Sequence, residues 1–226
     1  MAEPGTTTTT TPRERYRAQV REEVKKHAWE QIATAGASAL SLNAIAKQMG
    51  MSGPALYRYF AGRDELITEL VRDGYRSLAD TFLSVHAAAS AYDSRPELAA
   101  LAHALRGWAL EDPHRYFLLY GTPVPGYHAP DDITGIASEI MSVLLDACVA
   151  LDPDATAPVT PFDTHLAAHR QWADPHPAPA TALHRALTCW TRLHGVLSLE
   201  AAGHFTGMSL DPAQLYEAEL HALLKP

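Results

Sequence analysis

Residues 41–60, SLNAIAKQMGMSGPALYRYF, constrain the fold more than any other stretch of the chain. Ser41 is a good N-cap, and Leu42, Ile45, Ala46 and Met49 repeat behind it at helical spacing. Gly50 can adopt the left-handed conformation that ends a helix. Ser52 is a second capping residue, and Pro54 is tolerated in the first turn of the helix it starts. Leu56 and Phe60, four apart, give that helix an inward face, while Tyr57, Arg58 and Tyr59 point elsewhere. The small Ala46 lets the two short helices approach closely. This is the pattern of a helix-turn-helix whose second helix offers polar, aromatic and cationic groups outward, as a reader of the DNA major groove does.

The distribution of charge agrees with that reading. The chain has 226 residues and a net charge of −8, which by itself disfavours nucleic acid. Residues 1–60 nevertheless carry eight Lys/Arg against five Asp/Glu, a net of +3, and residues 61–226 carry ten against twenty-one, a net of −11. A mildly basic head on an acidic body suits a protein that touches DNA with one end. The length leaves room for one large or two small domains with a real core. No apolar run approaches the roughly 18 residues that span a bilayer, and the N-terminus lacks the order of a signal peptide. Cys148 and Cys189 have no zinc-type spacing and read as reduced core residues of a cytoplasmic protein.

Along the chain every periodic segment is helical, so the expected class is all-α with nine or ten helices. Residues 1–12, a Thr run between prolines, read as a flexible tail. A helix over 13–35 carries the stripe Val20, Val24, Ala28, Ile32, widened by Trp29 and Ala33, and ends at Gly36. Its cations Arg13, Arg15, Arg17, Arg21, Lys25 and Lys26 form a solvated face, with one or two near its start reaching phosphates. A long helix over 63–90 buries Leu66, Leu70, Gly74, Leu78, Phe82 and Val85. Further helices are expected over 95–110, a short piece at 116–120, 131–151, 181–205 and 211–224, with a short one around His165, His169 and Trp172. The Pro-rich stretches 121–130, 152–161 and 173–180 are connectors. The expected organisation is a tail at 1–12, a DNA-binding domain at 13–62, and a body at 63–226 that binds ligand and dimerises.

The order of a basic first helix, SLNAIAKQMGMSGPALYRYFAGRDELI and a long helix closely resembles the DNA-binding head of TetR-type regulators over residues 15–72. Ala46, Gly50, Leu56, Tyr57, Phe60, Asp64, Glu65 and Leu66 stand in that family's order without a gap; Arg63 replaces its usual Lys and keeps the charge. WTRLHGVLSLEAAGHF at 190–205 resembles the Trp-His-Gly class of C-terminal domain, and GTPVPGYHAP the loop that accompanies it. The resemblance implies a homodimer, most often a repressor, on a palindromic double-stranded operator, released by a small molecule in the body. The apolar helices near 181–205 and 211–224 are the expected dimer surface, as a symmetric four-helix contact.

The same resemblance, with the spacing, yields the candidate DNA contacts. Tyr57, Tyr59 and Arg63 are phosphate binders, and Arg58 reaches a guanine edge or a phosphate. Gly53, Pro54 and Ala55 leave room for close approach, with Ala55 against a thymine methyl. Ser41 and Asn43 face the backbone, Ser41 equally as a cap, and Lys47 gains from nearby phosphates. Trp108, Tyr116, Phe117, Tyr120, Met141, Trp190 and His194 are candidates for an effector pocket, against the simpler reading of each as core. The His165/His169 pair has no third ligand at a helpful spacing, so no metal or other cofactor is expected. The competing reading is a helical enzyme or small-molecule binder in which the head is secondary. It finds no G-x-S-x-G elbow, phosphate-cradling loop or H-E-x-x-H to support it.

Overall fold

A computed structural model describes residues 11–89, 95–128, 130–151 and 160–225. Those residues contain ten α-helices and two short 3-10 turns. They divide into two compact units, one comprising residues up to 70 together with 124–127 and the other the remainder. Residues 1–10 of the expected tail, and 152–159 of one expected connector, lie outside the described residues.

The first unit opens with α1, Pro12–Ala35, which starts one residue earlier than the sequence predicts. Thr11 and Pro12 therefore belong to the structured head, not to the tail. Thr11 accepts a hydrogen bond from the Glu14 amide while the Glu14 carboxylate accepts one from the Thr11 amide, a reciprocal cap. Val20, Val24, Ala28 and Ile32 are buried as expected, Trp29 is half-buried and Ala33 is exposed. A 3-10 turn at Ala37–Ala39 leads to α2, Leu42–Gln48, and α3, Gly53–Leu56. The next helix, α4, runs Arg63–Ala88, about 40 Å at 1.5 Å per residue. Its residues up to Leu70 belong to the first unit and the rest to the second. The boundary drawn at 62/63 thus cuts the head short, because Glu65 and Glu69 on the first turns of α4 pair with Arg21 of α1.

The second unit contains the remainder of α4 with α5 (Arg95–Glu111), α6 (Pro113–Tyr120), α7 (Asp131–Leu151), α8 (Pro161–Ala168), α9 (Ala180–Ala201) and α10 (Pro212–Leu223). One core joins Leu78 and Phe82 of α4, Leu98, Leu101 and Leu105 of α5, Ile140, Leu144 and Leu145 of α7, and Leu183, Leu193 and Leu197 of α9. Arg76 of α4 forms a bidentate pair with Glu139 of α7 at 2.7 and 3.0 Å, and the buried Tyr216 hydroxyl of α10 donates to the Ala102 carbonyl of α5 at 2.8 Å. By length and mean hydropathy (1.6) α7 is apolar enough to cross a membrane, against the expectation that no segment approaches that length. Eight of its residues are buried, which accounts for that apolarity in a core helix.

The largest departure from sequence expectation is in α9, which stops at Ala201 and not at residue 205. Gly203 (φ 76°) and Gly207 (φ 83°) take left-handed backbone, with Ser209 (φ 53°) after them. The segment that was to be slim helix is a run of turns, leaving Met208 and Leu210 exposed.

Candidate functional site

The helix pair of the head is built by side chains that close its backbone groups. Ser41 has extended backbone, and its hydroxyl accepts from the Ala44 amide at 3.3 Å, so it caps α2. The amide of Gln31 on α1 brackets the same residue, accepting from the Ser41 amide at 3.0 Å and donating to its carbonyl at 3.5 Å. At the other end Gly50, at φ 65°, donates to the Lys47 carbonyl, and Met51 donates to that of Ala46. This pair of bonds ends α2 and turns the chain into α3. Ser52 stands at the expected cap of α3, but its side chain makes no capping bond.

Regular α geometry in α3 lasts one turn. Past Leu56 the Arg58 and Tyr59 amides reach back only three residues, to the carbonyls of Ala55 and Leu56. Leu56 and Phe60 are fully buried, while Tyr57 is 47% exposed. The freed carbonyls of this end are held from α1: the Arg17 guanidinium donates to the Arg58 carbonyl at 3.1 Å, and that of Arg21 donates to the Tyr59 carbonyl. Arg21 also lies 4.1 Å over the Phe60 ring and pairs with Glu65 and Glu69. Two arginines read as solvated or phosphate-reaching therefore position the C-terminal end of the second helix. Their spacing of four shows that they share a face of α1, but nothing in the sequence ties that face to residues 58 and 59.

The ten candidate DNA contacts all lie in this unit. Asn43, Lys47, Pro54, Tyr57 and Arg58 are exposed, and Ser41, Gly53, Ala55, Tyr59 and Arg63 are half-buried. At Gly53 an added Cβ would stand 3.2 Å from the Asn43 side-chain oxygen, so the glycine lets α3 start close against α2. Arg63 donates to the Ala37 carbonyl at 2.9 Å and lies 3.8 Å from Asp64, so its guanidinium is already engaged within the head.

In the second unit the structure gathers five of the seven candidate effector residues into one ring cluster. The Tyr116 hydroxyl lies 3.0 Å from His194 Nδ1 and 2.9 Å from the Ser198 hydroxyl, and its ring stacks on the imidazole. Trp190 and Tyr120 stand 4.2 and 4.7 Å from His194 between ring centres, and Phe117 packs edge-on against Tyr116. Burial pushes His194 down to about 4 and holds the Tyr116 and Tyr120 phenols above their ordinary range. The imidazole is thus neutral at pH 7. Trp108 stands apart: its indole donates to the Ser77 hydroxyl at 3.1 Å and its ring lies under the Arg115 guanidinium. Met141 is partly buried and packs on the core. Tyr75, edge-on to Tyr120, and Ser198 complete the cluster and were not singled out from the sequence. Ser198 follows His194 by four on α9, a spacing that could have found it.

His165 and His169 stack at 4.2 Å, and His169 Nδ1 meets the His165 carbonyl at 2.9 Å. Among the described residues no three His, Cys, Asp or Glu side chains stand together as a metal site. Cys148 of α7 and Cys189 of α9 are buried free thiols in contact with each other.

Residues 26–70 match the family of bacterial regulatory proteins described as tetR, and residues 98–223 match the tetracyclin repressor-like C-terminal domain, more than half of the chain. The chain belongs to the TetR family. It is a DNA-binding transcriptional regulator. Relatives of the same kind include the HTH-type transcriptional regulator Rv1816 of Mycobacterium tuberculosis, 35% identical over 217 residues and covered to 92% in both chains. Among solved structures, the regulatory protein SCO4313 is 68% identical with a TM-score of 0.85, over 96% of this chain and all of that one. A TetR/AcrR regulator from Thermobifida fusca shares the fold at 16% identity and a TM-score of 0.60, over 92% of this chain and 97% of that one. TetR membership accounts for both the compact basic head and the larger helical body that follows it.

Proposed function

We propose that this TetR-family regulator is a repressor that binds a palindromic operator as a homodimer and leaves it when a small molecule occupies the body. The observation that carries the DNA-binding half is the end of α3. Tyr57 and Arg58 are exposed there on a backbone whose carbonyls are held by Arg17 and Arg21. In this reading residues 13–62, with the first turns of α4, form the DNA-binding domain, and the chain beyond them binds effector and dimerises. Tyr57, Tyr59 and Lys47 contact phosphates, Arg58 and Asn43 read or approach base edges, and Gly53, Pro54 and Ala55 admit the groove wall. Ser41 serves first as a cap. Arg63, engaged by Ala37, contributes charge more than a direct contact.

Dimerisation is assigned to α9 and α10. The exposed side of α9 carries Gly195 and Leu199, with Ala202 just past its end, and that of α10 carries Ala218 and Ala222. Small residues permit close helix approach, and a symmetric pair of such faces forms a four-helix contact. Effector binding shifts the population of body states. Because α4 belongs to both units, a change in it alters the spacing of two recognition helices that must fit half-sites roughly 34 Å apart. The regulator works as a non-enzyme in the bacterial cytoplasm, on its operator. The test is a gel-shift salt series on the intergenic DNA next to its gene. Tyr57→Phe and Arg58→Ala are expected to weaken binding, each by about 1 kcal/mol, and to flatten the salt slope. Unchanged affinity and slope in both variants would sink the assigned geometry.

A further inference from the structure

His194 has one ring nitrogen too many for its surroundings. Nδ1 meets the Tyr116 hydroxyl, whereas Nε2 is buried from solvent and has no hydrogen-bond partner among the described residues. Buried polar groups in native proteins are almost always paired, and one left alone is destabilising. The surroundings of this one are aromatic: Trp190, Tyr120 and the stacked Tyr116 ring. We propose that His194 Nε2–H is the polar anchor of the effector site and that the effector is a flat, uncharged molecule presenting a carbonyl-type acceptor to it. This rests on the reading of the body as effector-binding and narrows it to a chemical class.

The direction of the hydrogen bonds fixes the class. A phenol is a stronger donor than an aliphatic hydroxyl, and a neutral imidazole nitrogen is a stronger acceptor than a serine oxygen. The Tyr116 hydroxyl therefore donates to Nδ1, and Ser198 donates to the Tyr116 oxygen. An imidazole that accepts at Nδ1 carries its single proton on Nε2. That nitrogen can only donate, so its partner is an acceptor. The acceptor is uncharged because the site offers neutral groups. The arginines nearest in sequence pair outside the ring cluster: Arg115, beside the Trp108 ring, with Glu111 and the Trp108 carbonyl, though its Nε is buried without a partner among the described residues, and Arg192 with Glu219. Moving a carboxylate out of water against neutral partners is strongly unfavourable. The ring walls select a planar apolar frame, since offset and edge-on contacts to such a frame add to simple burial.

The naphthyl ketone prodan, whose emission moves to the blue on leaving water, is a direct probe for the intact protein. Prodan is expected to bind, naphthoate and ethylnaphthalene to compete at least tenfold more weakly, and His194→Phe to lose about tenfold in prodan affinity, the worth of one hydrogen bond. In ligand-free protein labelled with nitrogen-15 at histidine, a long-range proton–nitrogen correlation should show His194 as the Nε2–H tautomer. Tyr116→Phe provides the assignment should His194→Phe not fold. An Nδ1–H tautomer, absence of prodan binding, or binding indifferent to His194→Phe each overturns the proposal. Operator release is scored separately by gel shift. Ketone binding that depends on His194 but leaves operator affinity unchanged keeps this inference and sinks the sensor reading; release by a small molecule indifferent to His194 does the reverse.

Discussion

The two units of this regulator are held together in different ways. In the head, single side chains close single backbone groups: Thr11 and Ser41 cap helices, Gln31 brackets Ser41, Gly50 turns the chain, and Arg17 and Arg21 hold the last carbonyls of α3. Its short helices could not persist alone, because nucleation of so few turns is unfavourable. In the body, helices of up to 22 residues interlock leucines, isoleucines and alanines, and most of the ion pairs lie on a surface already determined by packing. A defect in the head should therefore change geometry and DNA affinity at modest cost in stability. A defect in the body should change stability first.

The largest expected effect tests the body. Leu145 on α7 is fully buried in its core, and Leu145→Ala should cost about 2–5 kcal/mol. Thermal unfolding should shift down by roughly 5–15 °C for a chain of this size. Operator affinity measured well below the transition should stay within about twofold of the parent. A matching fall in affinity would show that body packing and head geometry are not separable.

The corresponding head experiment is Arg21→Ala. It removes a charged donor from the Tyr59 carbonyl, a cation from the Phe60 ring, and the partner of Glu65 and Glu69. A charge-assisted bond of this kind is worth about 1.5–3 kcal/mol, so operator affinity should fall at least tenfold while body unfolding stays put. Arg21→Lys should rescue little, since a point charge cannot satisfy carbonyl, ring and two carboxylates from one plane. Full rescue by lysine would mean that Arg21 acts by charge alone.

Acid should separate the units again. Burial holds folded His194 at about 4, below the ordinary 6.5 of the unfolded chain. The unfolded state then binds the proton first. The stability carried by neutral His194 is complete above pH 6.5 and is lost progressively as pH falls toward 4. Between pH 7 and 5 the loss from this group is roughly 2 kcal/mol. Body unfolding in the parent should show that loss, and His194→Phe should lack that share of it. An identical pH profile in both proteins would mean that the imidazole is solvated in the folded chain.

These contrasts also explain what could be read before any coordinates. Helix positions followed the apolar spacing closely: the stripes of α1, α4, α5 and α7 are buried where their period places them, apart from the half-buried Val85 at the end of α4. Local rules held at Ser41, Gly50 and Gly36 but not at Ser52, whose side chain makes no capping bond. The misreadings share a cause, since each depends on a partner distant in sequence or on competition between local preferences. The end of α9 was set too late because an alanine-rich run outweighed Gly203 and Gly207. The engagement of Arg17 and Arg21, read as part of a solvated face with one or two cations reaching phosphates, and of Arg63, read as a phosphate binder, was not legible because their carbonyl partners lie 26 to 41 residues away. That Trp108, a candidate for the effector pocket or for plain core, stands outside the ring cluster was not legible either, since its indole is satisfied by Ser77 on another helix.

The smallest effect resolves the one residue for which two roles stood level. Ser41 caps α2 through its hydroxyl, and the same hydroxyl is placed to meet a phosphate. Ser41→Ala removes both functions and should cost about 1 kcal/mol of head stability. Ser41→Asp keeps a capping oxygen and adds negative charge beside the DNA backbone. If capping is the whole role, Asp restores the head's resistance to local opening, read by amide hydrogen exchange in α2, and lowers operator affinity only through repulsion that fades at high salt. If the hydroxyl also donates to a phosphate, the Asp variant stays weaker than parent even when salt has screened the added charge. The residual gap at high salt is therefore the hydroxyl's direct contribution, and its absence assigns Ser41 wholly to the architecture of the head.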